Sequence, residues 1–245
     1  MNSKISTVSY DFLLFFKMIK GYEAVYMNRK HIIYIMNFIL FALSSAILLT
    51  IVCKPLFYWQ ISAVDTQQLI GLTQTQVMKN YDQLIDYLLF PWINTLIMSD
   101  IPTSAQGAFH FMEVKNLFLL NQIVFIFTLI IFVMGLKKIH KTQSFWQYVT
   151  PLRLLSYIPL LLTIIFVSSF NYWFVAFHHM FFNNDAWLFN PATDPIINVL
   201  PESFFMLCFI VVVAIVQSWF LIGYLYMKRK TRQLVDKRVL LSANQ

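Results

Sequence analysis

A chain of 245 residues that is 59% hydrophobic and only 12% charged, with 25 phenylalanines, carries too much apolar surface for a soluble core; soluble domains are about 25% charged. It reads as an integral membrane protein. The net charge of +7 is spread along the chain as a topology signal and excludes no membrane role, whereas a nucleic-acid partner finds no support in it.

Four apolar runs are long enough to cross about 30 Å of hydrocarbon at about 1.5 Å per residue. They are Ile32–Cys53, Leu117–Leu136, Leu154–Phe177 and Ser203–Met227. The first lies too far from the start and is too long for a signal-peptide core, so it reads as an uncleaved span. The expected fold is one all-α membrane domain over residues 1–245. It has four transmembrane helices and an outward-facing interfacial helical segment between the first and second spans.

Charge orients these spans. Lys4, Lys17, Lys20, Arg29 and Lys30 precede the first span. Lys137, Lys138, Lys141 and Arg153 separate the second and third, and Lys228, Arg229, Lys230, Arg232, Lys237 and Arg238 follow the fourth. Only Asp11, Glu23 and Asp236 oppose them on that side. The other side has Lys54, Lys79 and Lys115 against eight acids. The positive-inside rule places both termini in the cytoplasm and residues 54–116 and 178–202 outside.

Within the first outer segment, TQVMKNYDQLIDYLL puts Val77, Met78, Tyr81, Leu84, Ile85 and Leu88 at helical spacing, opposite a polar face. This predicts an amphipathic helix in the headgroup layer. Pro91 and Pro102 interrupt the chain, and Thr103 or Ser104 is placed to cap a helix that runs through AFHFMEVKN into the second span. On that helix His110 and Glu113 share a face, with Asn121 below. The third span shows the same order, His178 above Asn171. Polar groups at such depth face a bundle interior or a wet cavity. A polar pocket opening outward is the expectation. Taken singly, an interfacial histidine is an amphipathic anchor, and Trp187, Phe181 and Phe182 are belt aromatics. His31 and His140, among basic residues, read as solvated.

The sequence has no G-x-S-x-G elbow, P-loop, Rossmann fingerprint or H-E-x-x-H motif. Nothing in the spacing of Cys53 and Cys208 demands a disulfide, and thiols in apolar surroundings are usually inert. His110, Glu113 and one of His178 and His179 would make a weak zinc set, being drawn from separate segments. Imidazole with carboxylate remains, and with it general acid–base chemistry at a membrane surface.

The stretch FHHMFFNNDAWLFNPATDPIINVLPESFF resembles the signature loop of the lipoprotein intramolecular transacylase (Lit) family, and NYDQLIDYLLFPW and FHFMEVKNL resemble its other outer motifs. TSAQGAF precedes His110 here, and Glu113 stands where the family pattern carries an aspartate. The resemblance implies a bacterial cytoplasmic-membrane enzyme acting toward the outer leaflet on a diacylated lipoprotein. It would move the sn-2 acyl chain to the α-amino group of the same N-terminal cysteine. Catalysis falls to His110 and His178. Glu113, Asp185 and Asp194, with Asn121 and Asn171, are the supporting set. Tyr81 and Trp187 are placed beside substrate and membrane lipid. Neither metal nor cofactor is required. The competing readings are a non-enzymatic scaffold or lipid-binding protein, and a metal-dependent lipid hydrolase.

Overall fold

The computed structural model describes residues 29–243, and every regular element among them is helical. Lys4, Asp11, Lys17, Lys20 and Glu23, used above to orient the chain, lie outside the described residues. Among the described residues, four helical stretches are long and apolar enough to cross a membrane: α1 (Arg29–Val52), α5 (Ala105–Thr142), the pair α6 (Trp146–Leu155) and α7 (Ile158–Ser168), and α10 (Glu202–Ala243). Between α1 and α5 lie α2 (Lys54–Ser62), α3 (Thr66–Ile70) and α4 (Gln74–Leu89). Between α7 and α10 lie α8 (Phe170–Phe181) and α9 (Ile196–Val199).

The helix α1 is central. Half of its apolar window is buried, against 6–11% for the other three crossings, whose aliphatic side chains face outward. Small residues make this possible: Ala42, Ser44, Ser45 and Ala46 are all buried and let neighbouring backbones approach. A polar seam joins α1 to α5. Asn37 Nδ2 donates to the Thr128 carbonyl at 3.0 Å, and Asn121 Nδ2 donates to the Ser44 carbonyl at 3.1 Å. In hydrocarbon, amides without such partners would be costly.

Two apolar clusters lie at opposite ends of the crossings. At the basic end, Phe38, Phe41, Phe145, Tyr148, Leu152 and Phe220 pack together, with Phe41 stacked on Phe132 at 4.7 Å. There His140, expected to be solvated, instead shares a 2.6 Å hydrogen bond with the Tyr226 hydroxyl and lies edge-on to Phe145. At the other end, Phe57, Ile61, Val77, Tyr81, Leu84, Phe111, Ile196 and Phe204 form a second core beneath α2–α4.

The helix α4 forms where its periodicity predicts it. Thr73 and Gln76 close a capping box at its start, and Val77, Tyr81, Leu84, Ile85 and Leu88 are buried on one face. The segment that follows is pinned back onto it. Asn80 is 0% exposed; its Oδ1 accepts the Asp100 and Ile101 N–H groups at 2.9 and 3.2 Å, and its Nδ2 donates to Asp100 Oδ2 at 2.8 Å. Lys115 of α5 is buried under the end of α4. Its ammonium donates to the Phe90 and Ile93 carbonyls and sits over the Tyr87 ring. A cation suits the negative end of a helix.

The third crossing differs from the sequence expectation. It starts earlier, at Trp146, and is broken twice before Phe177. The first break falls at Leu155, four residues before Pro159, where the proline ring clashes with that carbonyl. The second falls at Ser169 (φ −147°, ψ 49°), beside Ser168, whose hydroxyl donates to the Ile165 carbonyl. Serine hydroxyls compete for backbone acceptors in this way. Phe166, stacked on Trp173 at 4.6 Å and on Phe209 at 4.9 Å, packs across the joint. The helix α8 is therefore a separate element beyond the crossing.

Replacing Asn80 strands several buried backbone and side-chain groups at once. Asn80→Ala is expected to destabilise the protein by roughly 1–3 kcal/mol. Thermal unfolding of the detergent-solubilised chain measures this, and an unchanged midpoint would dismiss Asn80 as the anchor of residues 90–101.

Candidate functional site

Two helices bring imidazoles together. His110 lies on the first turns of α5 and His178 on the last turn of α8; both are buried, with ring centroids 5.9 Å apart. Aromatic rings wall them in. Phe182 and Phe189 lie edge-on to His110, and Trp187 stacks on His178 at 4.5 Å and 26°. His179 is exposed and edge-on to Trp187, its side chain turned about 100° from that of His178, as 3.6 residues per turn dictate.

The tautomer of His178 follows from its partner. Its Nδ1 lies 2.6 Å from the Phe174 carbonyl, which only accepts, so Nδ1 carries the proton. In the neutral ring Nε2 is then a bare acceptor, the form a general base needs. Burial lowers the pKa of His178 below the usual imidazole value. The Phe174 bond works against this shift and the neighbouring His179 adds to it. His178 is accordingly neutral near pH 7.

Beside the pair, Glu113 lies three residues after His110, with one carboxylate oxygen accepting from Asn184 Nδ2 at 2.9 Å. Asn184 Oδ1 in turn accepts the Ala186 N–H at 2.9 Å, which fixes the amide's orientation. Glu113 Oε2, His110 Nδ1 and Trp187 Nε1 are buried and have no hydrogen-bond partner among the described residues.

The remaining acids have other partners. Asp194, 2% exposed, accepts the Ser104 N–H at 2.7 Å and the Thr193 hydroxyl at 2.8 Å. It sits on the N-terminus of α5, where a carboxylate is favoured. Gly107 makes room for it: a Cβ there would lie 2.3 Å from Asp194 Oδ1. Ser104 completes the cap by accepting the Gly107 N–H. The side chain of Asp185 is exposed, and its carbonyl accepts from Gln106. Neither aspartate bonds to an imidazole among the described residues.

The two asparagines do not form a pocket floor below the histidines. Asn121 is spent on the α1–α5 seam. Asn171 is exposed and donates to Glu202 Oε2 at 3.0 Å, because the Ser169 break carries α8 to the level where α10 begins. Tyr81 is stacked on Phe57 at 3.8 Å inside the core under α4, whereas Trp187 is at the site. No three His, Cys, Asp or Glu side chains among the described residues are grouped to hold a metal ion. Cys53 and Cys208 are free thiols. Sequence reasoning passed over Asn184 and the Phe174 carbonyl. The Asn183–Asn184–Asp185 run signals a turn with side-chain amides to spare, but a main-chain acceptor leaves no mark in sequence.

Four apolar crossings with paired imidazoles at one end make this a polytopic membrane protein with one aromatic-walled polar site suited to proton transfer. Comparison with known proteins agrees and is more specific. The model of the lipoprotein intramolecular transacylase Lit family matches residues 32–205, and the chain belongs to that family. It is similar to the in meso structure of the membrane integral Lit from Bacillus cereus, at 28% identity and a TM-score of 0.76, over 82% of this chain and 95% of that one. A variant of the same Bacillus cereus protein with a histidine replaced by arginine matches at 26% identity and a TM-score of 0.74, over 90% and 99% of the two chains. Another, with alanine in place of a histidine, matches at 28% and 0.71, over 85% and 93%. No curated protein sequence matched.

Gly107→Ala is expected to push Asp194 off the start of α5 and so displace the loop carrying Trp187. Asp194→Asn, which keeps an oxygen for the Ser104 N–H, is expected to be milder than Asp194→Ala, itself costing about 1–3 kcal/mol. Thermal unfolding ranks the three; equal stability of Asp194→Ala and the parent would remove the cap from this role.

Proposed function

We propose that the chain transfers the sn-2 acyl group of a diacylglyceryl lipoprotein to the α-amino group of its own N-terminal cysteine, leaving a lyso-form lipoprotein. Family membership supports the transacylase class. The observation that carries the mechanism is the paired imidazoles, one of them locked with a free Nε2 by the Phe174 carbonyl.

His178 Nε2 is the general base. The α-amino group has a pKa near 8, so most of it is protonated at neutral pH. The ammonium first gives up one proton to water; as the neutral nitrogen then forms the C–N bond at the acyl carbon, His178 removes the next proton from it. The tetrahedral adduct collapses with cleavage of the bond to the glyceryl sn-2 oxygen. His110 delivers a proton to that oxygen and regains one from His178, so the proton His178 took from nitrogen is replaced on the departing alcohol and the histidine pair is restored. Because amine and ester belong to one molecule, much of the entropic barrier is absent from the start. No acyl-enzyme is needed, and neither Cys53 nor Cys208 takes part.

The direction of the site follows from charge. With Lys137, Lys138, Lys141 and Lys228–Arg232 in the cytoplasm, the histidine end opens at the outer leaflet of the cytoplasmic membrane, and α4 lies in the headgroup layer.

His110→Ala and His178→Ala are each expected to lose about 10²–10⁴-fold in kcat, the usual loss for a general acid or base, while His179→Ala keeps most activity. Mass spectrometry of a synthetic diacylated lipopeptide after incubation with purified protein reads all three. An active His178→Ala beside a dead His179→Ala would assign the wrong member of the pair. For orientation, a cysteine at Ala192 in a background lacking Cys53 and Cys208 should react with a membrane-impermeant thiol reagent in intact cells, and a reporter fused after Gln245 should be cytoplasmic. The opposite pattern would turn the site to the inner leaflet.

A further inference from the structure

Buried polar atoms without partners are rare and call for an explanation. Six side-chain atoms among the described residues are of this kind. Three of them are the glutamine oxygens of Gln60, Gln147 and Gln217, on α2, α6 and α10, each alone on its element. The other three, His110 Nδ1, Glu113 Oε2 and Trp187 Nε1, belong to one site. His110 and Trp187 both pack against His178, and Glu113 is tied through Asn184 to the backbone next to Trp187.

Their chemistry is not interchangeable. An indole Nε1–H only donates, and a carboxylate oxygen only accepts. When an amine attacks an ester carbonyl, positive charge develops on nitrogen and negative charge on the carbonyl oxygen. A free donor and a free anionic acceptor beside the imidazoles are the complement of those two charges.

We infer that Glu113 and Trp187 are substrate-contacting residues of this site. Glu113 Oε2 receives the N–H of the lipopeptide's terminal amine, and Trp187 Nε1–H donates to the carbonyl oxygen of the migrating acyl group. This rests on the transacylase reading above. It also gives Asn184 a purpose. By holding Oε1, it leaves Oε2 free and fixes the carboxylate, so the group is in place before the reaction and nothing must reorganise during it. Glu113 therefore selects a free amine over an N-acylated terminus. Trp187 acts on the oxyanion, whose charge exists only beyond the ground state. It thus raises kcat without tightening substrate binding.

The test uses the full-length protein in nanodiscs with two synthetic diacylated lipopeptides, one with a free terminal amine and one N-acetylated. Trp187→Phe keeps an aromatic ring over His178 while removing the N–H together with one ring of the indole. It is expected to lower kcat by about 10²–10³-fold, the cost of one oxyanion donor, with binding of both lipopeptides unchanged. Glu113→Gln keeps an oxygen for Asn184 and removes the charge. It is expected to weaken binding of the free-amine lipopeptide about tenfold and leave the N-acetylated one unaffected. Parent values of kcat for Trp187→Phe, or equal losses for both lipopeptides in either variant, would overturn the assignment; equal losses would reduce these residues to structural supports. His110→Ala and His178→Ala run alongside. If they are inactive while Glu113→Gln and Trp187→Phe behave as the parent, only this inference falls. If the histidine variants are active, the transacylase mechanism beneath it falls instead.

Discussion

A helix of 38 residues rises about 57 Å, nearly twice the thickness of the hydrocarbon layer. The helix α5 must therefore leave the membrane still helical, and its protruding end is a rigid post to which α4 and the loop after α8 attach. Lys115 and Gln122 hold the end of α4 against it, through the carbonyls of Phe90, Ile93 and Leu89. Asp194, bonded to the Ser104 N–H, holds the loop after α8 on its tip, and Glu113 holds Asn184 one turn beyond His110. Deeper down, Asn121 and Thr128 tie the same helix to α1. A break in α5 just before His110 would separate it from the Asp194 tie, and one just after it from the Glu113, Lys115, Gln122 and Asn121 ties. The uninterrupted run AFHFMEVKN, with no proline or internal glycine after Gly107, fits that demand.

The site joins this rigid post to a much shorter element. His178 stands on α8, three turns long, set apart from its crossing by the Ser169 joint. What fixes it is contact with neighbours: its own Nδ1 on Phe174, Trp187 stacked across its face, and Phe182, which packs against both it and His110. Aromatic walls lower the local dielectric, which strengthens every charge–dipole interaction inside and keeps His178 neutral. The loop from Asn183 to Pro195 supplies Trp187 and Phe189 to those walls, and the turns that shape it come from asparagine side chains bonding locally, as at Asn184 and Asn190. Polar residues in this greasy chain thus both build a loop and leave a few atoms over for chemistry.

Much of this was legible in the sequence because it depends on local pattern. The length of apolar runs marks four crossings. The 3.6-residue period of Val77, Tyr81, Leu84 and Leu88 marks α4, and Ser104 ahead of AFHFMEVKN marks the start of α5. The same period places His110 and Glu113 on one face. It does not name the partner across that face. Asn121 and Asn171 have the depth and spacing of pocket residues, yet their amides are consumed by Ser44 and Glu202, contacts set by helix packing. Asp194 looks like an orienting acid, but Gly107 offers it a niche at a helix end, and it settles there. The joint at Ser169 has no proline to announce it; two serines in an apolar run are a weak signal of a break.

The apolar clusters at the two ends of the crossings bind the bundle as two hoops bind the staves of a cask. The hoop at the basic end, with Phe38, Phe145, Leu152 and Phe220, shares no side chain with the hoop under α4 that contains Phe111, next to His110. Residues without shared partners contribute to stability nearly independently. Damage to the far hoop therefore lowers how much folded protein a membrane holds and leaves the histidine geometry intact in each molecule that remains. In cells the two kinds of lesion look alike, as lost product. Activity normalised to folded protein separates them, because only lesions near the α4 hoop change the rate per molecule.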